Sequence, residues 1–139
     1  MFTVGTDGSI TMHRGDTGAV WVRAVRSDEE PWTEYDRMIF TVRNQAGEIV
    51  LQRFYRLDTD AGDGICLIQF HNNDTDSWDN GTYNTERRYV INPIWSGTAP
   101  TSDVVNALTA GVRIIEGDTV RVPDNGQSTL TISDIYGEV

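Results

Sequence analysis

Arg37-Met38-Ile39-Phe40-Thr41-Val42-Arg43 decides the fold class. Met38, Phe40 and Val42 fall on one face and Arg37, Thr41 and Arg43 on the other, the period-two pattern of a half-buried strand. The same period recurs in both directions. Upstream, residues 19–26 place Val20, Val22 and Ala24 together, and residues 9–13 read as a short strand. Downstream, residues 48–56 form a third run, in which adjacent Ile49, Val50 and Leu51 call for a bulge or two covered faces. Residues 64–71 put Cys66, Ile68 and Phe70 inward, and 82–91 put Tyr83, Tyr89 and Ile91 on one face. Residues 112–122, interrupted at Glu116-Gly117-Asp118, and 127–134, with Leu130 and Ile132 inward, complete the set.

Turn chemistry separates these runs. Asn44-Gln45-Ala46-Gly47 makes a short hairpin, residues 58–64 close the next, and Pro123-Asp124-Asn125-Gly126 precedes the last strand. Seven to eight short strands with such turns predict an all-β chain, an antiparallel β-sandwich, as a single domain over residues 1–139. Two segments break the rhythm. Residues 74–78 suit one helical turn capped by Asp74 or Thr75. Residues 92–111 read as a long insertion, with a short helix over 101–108 and Gly111 just past its end.

Composition narrows function. The 139 residues carry 21 acids against 11 bases, a formal net charge of −10, and every base is arginine. Such a surface repels phosphate backbones and anionic membranes, so neither nucleic acid nor membrane is an expected partner. No apolar run approaches the ~20 residues of a membrane span. Residues 1–8 show neither a basic nor an apolar signal-peptide region. The lone Cys66 sits in an apolar run and reads as a reduced core thiol.

No pattern points to a catalytic group, a cofactor or a metal. Asp58-Thr59-Asp60-Ala61-Gly62-Asp63-Gly64 has the alternating acids of a calcium loop, but its glycine is displaced and Gln69 stands where a bidentate Glu belongs. Asp74, Asp76 and Asp79 form another acidic cluster of the same kind. His13 and His71 lack a ligand partner at metal-binding spacing. There is no nucleophile elbow and no glycine-rich phosphate loop. Arg14-Gly15-Asp16-Thr17 contains the tripeptide that adhesion receptors read on exposed loops; the structural reading is a tight turn in which Asp16 or Thr17 bonds the local backbone. Trp21 and Trp78 belong to the core or its lid. Trp32 and Trp95, in irregular segments, are the candidates for exposure, as sugar-stacking platforms or as protein anchors.

The order of landmarks carries a resemblance. Ile10-Thr11-Met12-His13-Arg14-Gly15-Asp16-Thr17 is followed by Ile39-Phe40-Thr41-Val42-Arg43, by Asn73-Asp74-Thr75 and Gly81-Thr82-Tyr83, and finally by residues 113–122. The series resembles small phage and prophage tail or baseplate proteins with an immunoglobulin-like sandwich, akin to the amino-terminal domain of baseplate upper proteins. It departs from them in having Trp78 where that family carries leucine, and in the insertion. The resemblance implies a non-enzymatic virion component, made and assembled in the host cytoplasm. It would work through contacts with other tail or baseplate proteins and as a homo-oligomer in the particle. The surface expected to make those contacts, or to bind a ligand, is Trp32, Trp95, Val104, Val105 and Leu108. The rival expectation is a carbohydrate-binding β-sandwich using Trp32, Trp78 or Trp95.

Overall fold

The structure, a computed structural model, describes residues 2–6, 8–26, 29, 31–59, 62–90, 95–96, 99–100, 104–115 and 125–136. Thirteen strands run through these residues: β1 (Thr3–Val4), β2 (Ile10–His13), β3 (Thr17–Arg26), β4 (Arg37–Arg43), β5 (Ile49–Arg56), β6 (Asp58–Thr59), β7 (Gly62–Asp63), β8 (Ile65–Phe70), β9 (Gly81–Val90), β10 (Trp95–Ser96), β11 (Ala99–Pro100), β12 (Val104–Ile115) and β13 (Asn125–Tyr136). Six form one sheet in the order β1-β2-β12-β9-β4-β5, and three form a second in the order β13-β3-β8. The pairs β6–β7 and β10–β11 are two-residue hairpins. No helix occurs among the described residues.

The sheets are mixed rather than purely antiparallel. β2 runs parallel to β12, and β3 runs parallel to β13. Parallel neighbours need a long crossover between them, and most of the chain lies between the members of each pair. The helix expected over 101–108 is also replaced: Val104–Ile115 is strand, and 101–103 lie outside the described residues. Its capping signal loses to pairing, because β9 offers a register partner to Val104 and to each residue from Asn106 to Ile114. Residues 104–111, read from sequence as part of the insertion, therefore belong to β12.

The inner faces of both sheets meet in one core. β2 supplies Ile10 and Met12, β4 supplies Met38, Phe40 and Val42, and β3 and β8 supply Val20, Val22, Ile68 and Phe70 from the other side. Phe40 and Phe70 touch edge to face across the two sheets at 6.0 Å, the arrangement the aromatic quadrupole favours. β4 is covered on both faces: Ile39 and Thr41, the latter expected outward, are buried. β4 lies between β5 and β9, so Ile39 has Phe54 and Arg88 opposite it, and the Thr41 hydroxyl accepts from Gln52 Nε2 at 3.1 Å. The crowded Ile49-Val50-Leu51 run is a bulge: Val42 pairs with Leu51 and Arg43 with Ile49, leaving Val50 as the extra residue.

The chain passes between the sheets five times, and three of the passages use one device. The carboxylates of Asp16, Asp36 and Asp74 accept the backbone N–H three residues earlier, from His13, Thr33 and His71 at 2.9, 2.8 and 2.6 Å. The N–H of each aspartate returns a bond to the carbonyl of that same residue. Each turn thus closes on itself and satisfies backbone groups that leave the sheets. Asp16 and Asp36 are fully buried in doing so.

At the far end, Gly64 sets how closely the passage from β5 to β8 approaches β3. It has φ +79°, its N–H donates to Leu57 O, and its carbonyl accepts from Ala24 N at 2.7 Å. A Cβ here would lie 2.0 Å from Ala24 O and 2.8 Å from Trp32 Nε1. Gly18 is tight too, but what its Cβ would meet, at 2.2 Å, is the ring of Phe2, a side chain that can rotate away. Gly64→Ala is therefore expected to lose about 3 kcal/mol or more, and Gly18→Ala nearer ~1 kcal/mol. Urea unfolding of the two variants checks the order.

Candidate functional site

Three regions gather polar or reactive side chains. The first is the end of the molecule where β2 passes to β3 and β8 passes to β9. Gly15, at φ +83°, turns the chain, and its N–H donates to Thr75 Oγ1 at 2.9 Å. Its carbonyl accepts from Asn72 Nδ2 at 3.3 Å. Arg14 reaches across the same gap, with Nε on Trp78 O and Nη2 on Asn80 Oδ1, both at 2.7 Å. The 71–80 connection is two successive turns rather than a helical turn: Asp74 N–H bonds His71 O, and Trp78 N–H bonds Thr75 O. Trp78 stacks on Tyr83 at 4.8 Å, and the Tyr83 hydroxyl donates to Asp79 O at 2.8 Å. A shallow cavity of about 190 Å³ beside it is lined by the 44–46 turn and by 79–83. Arg14 through Thr17 is thus an internal tie. With Asp16 fully buried, the tripeptide offers no carboxylate to a receptor.

One aspartate of each acidic cluster weighed as a cation loop is engaged by arginine. Arg53 Nη2 holds both oxygens of Asp74 at 2.7 Å, and Arg53 Nη1 also donates to Gln69 O. Arg56 grips Asp58 at 3.0 and 2.8 Å, and that bond lowers the Asp58 pKa. Among the described residues, no three His, Cys, Asp or Glu side chains form a metal-ligating group. Burial pushes the Cys66 thiol up to about 12, so at neutral pH it is a protonated core group.

The second region is inside the core. Arg87 of β9 forks onto Asp134 of β13, with Nε on Oδ2 at 2.7 Å and Nη2 on Oδ1 at 3.1 Å. The Tyr89 hydroxyl donates to the same Oδ2. All three residues are buried, at 5%, 2% and 0% exposure. Burial first, and the Asp134 carboxylate second, raise the Tyr89 pKa, so the phenol remains a donor. The triad ties the two sheets together through a buried charge pair.

The third region is the outer face of the three-stranded sheet. Trp21 lies there half-buried, between register partners Leu67 of β8 and Thr131 of β13. One pair further along, Arg23 sits between Ile65 and Ser133. A cavity of about 490 Å³ is lined by Trp21, Arg23, Ile65, Thr131 and Ser133. A second cavity, of about 330 Å³, shares Thr131 and Ser133 and continues to Gly5, Thr6, Gly8, Ile132 and Arg87.

The residues singled out from sequence fall elsewhere. Trp32, expected exposed, is buried at 6%: its Nε1 donates to Ala24 O at 3.1 Å, it lies 6.1 Å from the Tyr89 ring, and Arg26 covers its face at 5.7 Å. The approach allowed by Gly64 draws it in, so it offers nothing to a partner. Trp78, a sugar platform in the rival expectation, is buried against Tyr83. Trp95 is paired through its backbone with Pro100, and Val104 and Leu108 with Val90 and Arg87, while Val105 is the bulged residue between Val104 and Asn106. The side chains of these four lie outside the described residues. Trp21, assigned to the core from sequence, faces outward instead. The sequence signal was available: Val20, Val22 and Ala24 inward require Trp21 and Arg23 outward.

No protein-family model, no curated protein and no solved structure matches this chain.

Thr75→Val removes the acceptor for Gly15 N–H while keeping side-chain shape; a loss of about 1–3 kcal/mol in urea unfolding is expected, with Thr75→Ser retaining most of the stability. Arg87→Met leaves the Asp134 carboxylate buried without its cation and is expected to cost about 3–5 kcal/mol. Replacing the whole triad (Arg87→Met, Asp134→Leu, Tyr89→Phe) should recover most of that loss in the same measurement.

Proposed function

We propose that this chain is a non-enzymatic structural component of a phage or prophage tail or baseplate. In this reading its two sheets form an immunoglobulin-like sandwich that assembles through protein–protein contacts, with other tail proteins and with copies of itself. One observation carries the reading. Three of the five short motifs behind the resemblance lie far apart in sequence, yet they meet in one bonded cluster: Arg14 on Trp78 and Asn80, Gly15 on Thr75 and Asn72, Trp78 on Tyr83. Motifs related only by chance have no physical reason to converge. Their convergence gives the shared order a structural cause, namely the tie that closes one end of the body. Trp78 fills that end in place of the family's leucine and stacks on the tyrosine of the Gly-x-Tyr element.

The contact surface is reassigned from Trp32 to β5. This strand is the outer edge of the six-stranded sheet, and it exposes Ile49 at 48% and Phe54 at 43%. A free edge with apolar side chains suits strand-to-strand or face-to-face docking. The negative surface keeps unassembled copies apart in the cytoplasm until a specific contact overcomes it.

Particles released by induction of the encoding strain and purified by sedimentation should contain this chain in stoichiometric amounts by peptide mass spectrometry. Ile49→Lys with Phe54→Asp should lower its incorporation about tenfold at unchanged melting temperature. Complete, infective tails that lack the chain would overturn the proposal, and undiminished incorporation of the double variant would overturn β5 as the contact.

A further inference from the structure

We propose that the groove beside β13 is a binding site for an anionic saccharide, a sugar ring carrying a carboxylate or a phosphate. The groove is a cavity of about 490 Å³ on the outer face, and a second cavity of about 330 Å³ borders the same Thr131 and Ser133 of β13. Each lies within the ~300–1,000 Å³ of small-molecule sites.

The first lobe offers an aromatic surface and a cation side by side. Trp21 is half-buried, and its indole N–H has no partner among the described residues. Indole is a flat apolar body with one donor at its edge, suited to the C–H face of a pyranose with hydroxyls around its rim. Arg23 is exposed one pair further along the sheet. Among the described residues the other arginine side chains are engaged: Arg14, Arg37, Arg43, Arg53, Arg56 and Arg87 in hydrogen bonds, Arg88 with Glu86 and Arg26 over Trp32. Arg23 has no such partner, so its fork is available to a bound carboxylate or phosphate.

The second lobe adds Arg87 from below. Its Nε and Nη2 are taken by Asp134, and Nη1 lies toward Gly8, 3.5 Å from where a Cβ on that glycine would stand. Thr6, Thr131 and Ser133 contribute hydroxyls.

Charge selects the ligand class. Among the described residues no Asp or Glu lines either lobe. The described lining is rich in donors, and Arg23 is its one cation without a carboxylate partner among the described residues. A neutral apolar partner would leave Arg23 and the hydroxyls desolvated and unpaired, which costs more than burying Trp21 returns. A long polyanion such as nucleic acid would meet the repulsive surface around the groove. A saccharide with separated anionic groups satisfies the donors and the indole together.

The test is calorimetric titration of the purified chain, and it is independent of any role in a particle. The probes are an oligogalacturonate, its methyl-esterified counterpart and a phosphorylated oligosaccharide. Millimolar or tighter binding of an anionic probe, at least about tenfold weaker for the ester, is expected. The anionic probe that binds more tightly identifies the charge. Trp21→Ala and Arg23→Gln should each weaken that binding about tenfold or more, and Arg23→Gln should erase the preference for acid over ester. Thr131→Trp, which places a bulky ring in the outer-face cavity beside Trp21, provides an independent block. All three positions are on the outer face, and melting temperatures near that of the parent chain show that they fold. Absence of binding by both anionic probes at about 10 mM, equal binding of acid and ester, or binding unchanged by Trp21→Ala and Thr131→Trp would overturn the proposal.

Discussion

The bond between Arg87 and Asp134 fixes which way β13 faces. A strand slipped by one residue turns every side chain to the opposite face. With Asp134 held inward by Arg87 and Tyr89, Ile132 also points inward, where it meets the core. Thr131 and Ser133 must then point outward beside Trp21 and Arg23. The pairing of β13 with β3 is irregular between Gln127 and Thr131 and regular from Thr131 onward. Backbone pairing alone would tolerate a shift at such a place. A buried carboxylate would not, because a slip strands it away from the Arg87 guanidinium. A desolvated ion pair adds little net stability compared with apolar residues of equal size. Its value here is register, and the outer groove inherits its shape from that choice.

A second constraint acts where the chain leaves one sheet for the other. Every passage exposes backbone groups that the sheets no longer satisfy. Asp16, Asp36 and Asp74 close three of these passages by the same reciprocal bond over three residues. The first and third of these turns are then bound to each other through Gly15, Thr75 and Arg14, so one end of the body behaves as a unit. The other end is set by proximity instead: Gly64 lies against Ala24, and the indole of Trp32 closes over both. Part of the acidity of this chain thus has a backbone role, independent of any ligand or metal.

The all-β class and the inner faces were legible in the sequence, because period-two alternation reports burial directly. Met38, Phe40 and Val42 face the core as the alternation predicts, and so do Val20, Val22, Ile68 and Phe70. What was not legible depended on partners distant in the chain. Alternation is blind to whether a neighbouring strand runs parallel, so β2 beside β12 and β3 beside β13 could not be read. The 104–108 segment carries a local helix signal, and only β9 alongside it decides for strand. Trp32 reads as exposed because it follows Glu29-Glu30-Pro31; a glycine 32 positions later admits it to the core. Arg87 and Asp134 each look like a solvated charge until the two sheets bring them together.

Trp21 and Arg23 were readable and were misjudged for a physical reason. A tryptophan in a strand suggests the core, since large apolar groups gain most from burial. Yet its neighbours Val20 and Val22 already occupy the inner face, and the pleat leaves no choice. An aromatic placed outward by the pleat, next to the one arginine without a partner among the described residues, stands apart from the rest of this surface. Elsewhere among the described residues the arginines are tied to aspartates, glutamates, carbonyls or an indole, which lowers their availability to any outside group. The same pairing that engages Asp58 and Asp74 leaves the β13 groove, among the described residues, as a place where positive charge remains open to an incoming molecule.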